Sequence, residues 1–232
     1  MKTIESIIDR QLRKWELEKA RIAVDSQSKS ESVHGPVITI ARMLGAHGEQ
    51  VAQSLTERIG FQLFDRELLE AIANDFGVQT KMVEMLDEAA RSELESWFAG
   101  MIRGRIIDSS DYIRSLTRAV GALSKHGASV IVGRGANIIL GPCRGFHIRV
   151  VSSRNVRIRR IASLQNMTYR EAEKIVDDSD AKRAEFTRKS FGADINDPAL
   201  YDMVVNTDIL SVADAVELIL SGYNRKRPYL TR

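Results

Sequence analysis

The chain has 232 residues, 44% hydrophobic and 28% charged, with 34 Lys+Arg against 31 Asp+Glu for a net charge of +3. That composition suits one globular domain with additions or two small ones, argues against a disordered or linker-rich chain, and is too weakly basic to require nucleic acid as a partner. A single cysteine, Cys143, excludes an internal disulfide framework and a Cys-rich zinc site, and no stretch nears the ~18 apolar residues of a membrane-crossing helix.

Glu5 and Asp9 interrupt any apolar leader core at the start, so a cytoplasmic protein is expected. Ile4, Ile7, Ile8, Leu12, Trp15 and Ile22 recur at three- and four-residue steps, which predicts a helix over 3–24. Its apolar face packs either on its own domain or against a partner, and Lys14 can pair with Glu18 on the wet side. Residues 25–36 lose the period and read as a linker.

From residue 37 the pattern changes to short strands alternating with helices. Strands are predicted at 37–40, 61–64, 129–132, 146–151 and 203–206, and helices at about 49–59, 154–165, 168–190 and 212–220. Gly60 suits a helix C-terminus and Asp65 a helix N-cap. Residues 66–126 read as helical, with breaks at Gly77, Gly100 and Gly104. The basic tail 223–232 is expected to be loose. Alternation of this kind indicates a parallel sheet covered on both faces, and ligands then sit at the carboxyl ends of the strands.

Those strand ends carry the candidate chemistry. The loop from Ala41 to Gln50 joins a strand to a helix and contains Gly45 and Gly48. It is either a tight turn or an anion site made of helix-start amides. A full P-loop would read G-x-x-x-x-G-K-[ST], and the lysine is missing. Asp65-Arg66-Glu67 is a helix cap with a solvated pair, or a ligand contact. Arg134 sits between Gly133 and Gly135, where a charged side chain needs water or an anion. Arg157 and Arg160 share a helix face that is either solvated or turned to phosphate. Asp180 and Arg183 can form an ordinary helix pair. Twenty-four of the 34 basic residues are arginine, which suits phosphate recognition. His34, His47, His126 and His147 have no metal-ligand spacing, and Trp15 and Trp97 read as packing residues.

The segment 37–69, VITIARMLGAHGEQVAQSLTERIGFQLFDRELL, resembles the opening of the cytidylate kinase-like family of P-loop proteins. So do VIVGRGANIIL at 130–140, SSRNVRIRRI at 152–161 and YDMVVNTDILS at 201–211, in that order. The resemblance covers about 36–222. It implies an α/β, P-loop NTPase-type three-layer sandwich, a five-stranded parallel sheet with helices on both faces. An N-terminal helix and linker (1–35), a helical insertion on the substrate side (78–126) and a lid at about 168–192 would be added.

The resemblance further implies ATP as donor, with Mg²⁺, and a pyrimidine nucleoside monophosphate, CMP or dCMP, as acceptor. Arg42, Gly45, Ala46, His47, Gly48, Glu49 and Arg157 would bind the donor nucleotide. Asp65, Arg66 and Arg134 would bind the acceptor, and Arg183, Arg188 and Arg134 would stabilise the transferring charge. Gly48 falls where the phosphate lysine belongs, and Glu49 where the magnesium-binding Ser/Thr belongs. Arg42 is placed to replace the lysine in part. The rivals are a nucleotide-binding sensor with little catalysis, a kinase of another small acceptor, and an interaction protein with a decayed site. A homodimer through the N-terminal helix or the 78–126 region is a further expectation, with neither nucleic acid nor membrane as partner.

Overall fold

Five short runs of β-branched and aliphatic residues form the strands β1 (Ile38–Arg42), β2 (Gln62–Phe64), β3 (Ser129–Val132), β4 (Phe146–Val151) and β5 (Met203–Asn206). In the computed structural model, which describes residues 3–24, 37–104 and 110–230, they pair in the order β2-β3-β1-β4-β5, and every pair is parallel. Parallel strands need covered crossovers, so each strand is followed by helix.

Alternation along the strands divides the core. Ile38, Ile40, Val130, Val132, Ile148 and Val150 join one cluster with Val51 and Leu55 of α2 (Gly48–Ile59) and Val216 and Ile219 of α10 (Val212–Leu230). Ile131 and Phe64 point to the opposite face. There they meet the helices α3 (Arg66–Asn74), α4 (Phe76–Glu84), α5 (Glu88–Arg103) and α6 (Asp111–His126), together with the short α7 (Ala136–Leu140). The sheet with helices on both faces is therefore as expected.

The first helix, α1 (Ile4–Val24), docks on its own domain: Ile8, Leu12 and Trp15 are buried against α3 and α4. The Trp15 ring stacks on His126 at 3.9 Å between centroids. The expected Lys14–Glu18 pair, the 25–36 linker and His34 lie outside the residues whose side chains are described.

Three local expectations need correction. The break after α3 is at Asp75, not Gly77. Asp75 leaves helical geometry and its carboxylate accepts from the Val78 N–H (3.0 Å), so it caps α4 and Gly77 falls inside that helix. Gly100 lies within α5, where glycine is tolerated at modest cost, while Gly104 does end it. The basic tail is not loose through Leu230. Tyr223 is buried beside Phe61 and Phe146, and Lys226 bonds Asp202 (2.6 Å), so α10 continues ten residues beyond the expected Leu220. The helix α7 was hidden by its shortness and by its flanking glycines, Gly135 and Gly141.

The remaining helices, α8 (Arg154–Gln165) and α9 (Tyr169–Phe191), form a hairpin packed through Ile158, Ile161, Ala172 and Val176. The α9 helix begins with a capping box of Thr168 and Glu171 and ends at Gly192. One face of α9, the end of β1, the turn after β3 and Tyr201 just before β5 surround the same volume.

Candidate active site

The β1–α2 loop is held by its carbonyls. Leu44 O accepts from Arg157 Nη1 (3.3 Å), Gly45 O from Arg160 Nη1 (3.2 Å) and Ala46 O from Thr207 Oγ1 (3.0 Å). In a trans peptide the N–H points opposite to the C=O. The amides of Gly45, Ala46 and His47 therefore face away from those three anchors, and Ala46 N–H turns back to Met43 O (3.3 Å). Gly45 (φ 77) and His47 (φ 58) supply the left-handed geometry of the turn. No side chain caps the start of α2, and its first intrahelical bond is from Val51 N–H to His47 O. The first-turn amides of Gly48, Glu49 and Gln50 are thus without intrahelical acceptors, at the positive end of the helix dipole. Amides so placed are a candidate cradle for an anion, with no lysine beside them in the P-loop position.

Beside the loop lies a cavity of about 530 Å³. Arg42 from the end of β1, Arg66 from the start of α3, Arg134 from the turn after β3, and Lys182 and Arg183 from α9 all line it. Phe186, Ile138, Ile175 and Tyr201 supply apolar wall. Arg183 donates to Arg42 O (2.7 Å). Burial, then repulsion from Arg42, pushes its guanidinium pKa down to about 10, against the pull of Glu49 and Asp180. Arg134 is likewise lowered, by burial first and then by Arg66 and Arg42. It pairs with Glu70 and lies 5.1 Å over the Phe186 ring. These side chains stay cationic near neutrality, so the cavity concentrates positive charge that an anion would relieve.

A second, more open cavity of about 590 Å³ adjoins it through Arg134, Lys182 and Phe186. Glu70 and Asn74 of α3, with Ser110 and Tyr112 at the start of α6, line its other side. Together the two volumes form a trough with Arg134 at the junction.

The structure sorts the expected site residues. Arg42, Arg66, Arg134 and Arg183 come together in the first cavity, whereas Gly45, Ala46, His47, Gly48 and Glu49 do not line it and form the loop and helix start that follow Arg42. Arg157 does not face the cavity. It is 3% exposed and holds Ser152 O (3.0 Å), Leu44 O and both carboxylate oxygens of Asp180 (3.1 and 2.7 Å). Its role is to fix the loop from behind, and Asp180 pairs with it rather than with Arg183. Arg188 is exposed and absent from the lining, because the face of α9 turned inward carries Lys182, Arg183 and Phe186 instead. The Asp65 carboxylate accepts from Leu68 N–H (2.9 Å), so it is spent as a cap. His47 is held below its ordinary pKa by burial and then by Arg160, so it is neutral near pH 7 and brings no cation to the loop.

Sequence reasoning missed Lys182, Phe186 and Glu70. Lys182 adjoins Arg183, and Phe186 follows it by three residues, which puts that pair on one helix face. Glu70 carries no local signal, since it meets Arg134 from 64 positions away.

Residues 37–209 match the model of the cytidylate kinase-like family. The chain is similar to a cytidylate kinase of Thermoplasma volcanium, 23% identical over 84% of this chain and 96% of that one. It is also similar to part of a uronate isomerase of Corynebacterium glutamicum, 26% identical over 75% of this chain but spanning only 35% of that protein's length. A solved structure of an uncharacterized protein from Eubacterium ventriosum superposes with a TM-score of 0.56 at 18% identity, covering 82% of this chain and 98% of that one. That likeness concerns the fold alone. No helix among the described residues is long and apolar enough to cross a membrane.

Proposed function

The chain belongs to the cytidylate kinase-like family, a kinase family of P-loop fold, and from that premise we propose that it transfers the terminal phosphoryl group of ATP to a pyrimidine nucleoside monophosphate, CMP or dCMP. The observation that carries this reading is the convergence of Arg42, Arg66, Arg134 and Arg183 on one cavity beside the pinned loop. Phosphoryl transfer asks little covalent chemistry of a protein. It asks for positioning and for charge placed around the transferring group.

In this reading the amides of Gly45 to Glu49 hold the donor phosphates. Arg66 and Arg134 hold the acceptor phosphate at the junction of the two cavities, and the nucleoside extends toward Asn74, Ser110 and Tyr112. Arg183 spreads the charge of the group in flight. Among the described residues, no three His, Cys, Asp or Glu gather as a ready metal site. A nucleotide-borne Mg²⁺ needs only one or two protein carboxylates, and Glu49 beside the loop and Asp178 on the cavity wall fit that need. When bound, the ion would neutralise phosphate charge.

A coupled assay of ADP release over all common monophosphates tests the proposal. The expected result is turnover that is fastest with CMP or dCMP. ATP binding with no turnover on any acceptor would overturn it. That outcome would favour the second reading, a nucleotide-binding sensor, which the missing lysine and the engagement of Arg42 by Glu49 support. Turnover confined to another small acceptor would keep the kinase and discard the cytidine specificity.

A further inference from the structure

The path of one side chain explains two glycines. Arg42 ends β1, and its stem crosses the first turn of α2. A Cβ on Gly48 would overlap the Arg42 Cβ and lie 2.8 Å from its Cγ. Farther out, a Cβ on Gly133 (φ +80) would lie 2.6 Å from Arg42 Nη1. The guanidinium therefore passes between the start of α2 and the turn after β3, with its side chain 12% exposed. A lysine at position 48, where the P-loop pattern has it, would meet the Arg42 Cβ itself, so a side chain at 42 requires glycine at 48.

Charge reaches the helix start from the strand instead. Arg42 Nε and Nη2 both donate to Glu49 Oε1 (3.3 and 3.1 Å). Glu49 is the second residue of α2 and its side chain is 64% exposed, so nothing on its outer side holds it in place. A guanidinium fork matches phosphate oxygens as well as it matches a carboxylate. Arg183 is bonded to the Arg42 carbonyl (2.7 Å), which fixes the backbone from which the side chain springs.

Resting on the phosphoryl-transfer reading, we propose that Arg42 is the donor-phosphate cation of this site in place of the P-loop lysine. Gly48 and Gly133 are the clearances its side chain threads, and Glu49 is the internal anion that the donor phosphates displace from it. Glu49 is the exposed half of the pair, so its carboxylate can return to water when phosphate takes its place on Arg42. Five cations already line the cavity, so an incoming triphosphate meets a field that favours the exchange.

Calorimetry with ATP and with inorganic tripolyphosphate, and single-turnover transfer, test this on the full chain. R42A should weaken both ligands by about tenfold or more and slow transfer by ~10²–10³, the scale of one lost charge-stabilising group. G48A should reproduce much of the binding loss although Arg42 remains, because the added methyl group meets the Arg42 Cβ and Cγ and displaces the base of that side chain. E49Q should tighten tripolyphosphate about threefold or more. Should G48A fail to fold, R42K serves in its place: it keeps the charge but loses the fork, and should fall between wild type and R42A. Wild-type affinity in R42A, or loosened tripolyphosphate binding in E49Q, would overturn the proposal. ATP binding that depends on Arg42, with no transfer to any acceptor, would overturn the kinase reading and leave this one standing. A wild-type chain that binds neither ligand would overturn both.

Discussion

Two groups of arginines lie on opposite sides of the β1–α2 loop and have opposite surroundings. Behind it, Arg157 and Arg160 find carbonyls at Leu44, Gly45, Ser152 and Thr207, and Arg157 also finds the Asp180 carboxylate. In front, Arg42, Arg66, Arg134 and Arg183 share a cavity, and the pKa values of Arg134 and Arg183 are lowered by burial first and then by the charges of Arg42 and Arg66. A guanidinium surrounded by fixed acceptors is structure. One that lines a void among other cations, as Arg42 does beside Glu49 and Arg134 beside Glu70, still has charge to offer an anion. Residue type is the same in both groups, so it is the surroundings that separate them.

The largest expected effect falls on the cavity side. Replacing Arg183 by alanine should slow phosphoryl transfer by about 10³-fold or more, the scale for an arginine that stabilises the transferring group. The melting temperature should change little, because the Arg183 guanidinium serves no buried carboxylate. Steady-state rates and a thermal melt on one preparation check both halves. A large fall in melting temperature with an intact rate would reverse the comparison.

Arg157 should behave in the opposite way. R157A breaks a buried pair and frees Leu44 O, so stability should fall toward the low end of about 3–5 kcal/mol, since Asp180 is partly exposed. Urea unfolding measures it. Activity per folded molecule should fall less than in R183A. If R157A unfolds like wild type but loses transfer, Arg157 belongs with the cavity group after all.

How much of this was legible in the sequence follows the range of the interactions. All five strands and most helices were readable, because apolar period and caps such as Asp65 and Gly60 are local. The four cavity arginines were readable too, since each follows a parallel strand or shares the face of α9. Arg157 was misplaced because its partners, Leu44 and Asp180, lie 113 and 23 positions away. Arg188 was chosen by its charge, but the inward face of α9 has Lys182 and Phe186 beside Arg183. The helical tail escaped notice because its anchors, Phe61, Phe146 and Asp202, are distant in the chain.

A smaller effect separates fixed neutrality from gathered charge. His147 in β4 bonds Thr39 Oγ1 (2.8 Å) and Gly141 O (2.8 Å). The carbonyl accepts only from an N–H, so Nε2 carries the proton and Nδ1 takes the Thr39 hydroxyl hydrogen. Burial holds its pKa below 6.5. The unfolded chain then binds more protons than the native one as pH falls through 6.5, so stability should drop in that window and be fully present above it. Comparing urea midpoints at about pH 7.5 and about pH 5.5 in wild type and H147N checks this. The variant should have the shallower slope. An equal slope would place the acid sensitivity elsewhere.

The smallest expected effect is at Arg188. Its side chain is exposed and it adds nothing to the cavity wall, so R188A should keep its rate and its ATP affinity within about threefold of wild type. That near-silence tests the rigid picture of the α8–α9 hairpin. The helix is tied to α8 by Arg154 with Glu173 and Asp177 and by Arg157 with Asp180, and Arg157 in turn holds Leu44 O of the loop. If it holds that place during turnover, Arg188 never reaches the phosphates. A loss of a hundredfold would require α9 to rotate or travel by a good part of a turn when ligand binds. The ties at Asp177 and Asp180 would then have to break in each cycle, and R154A, which loosens one of them, should speed rather than slow the closing step.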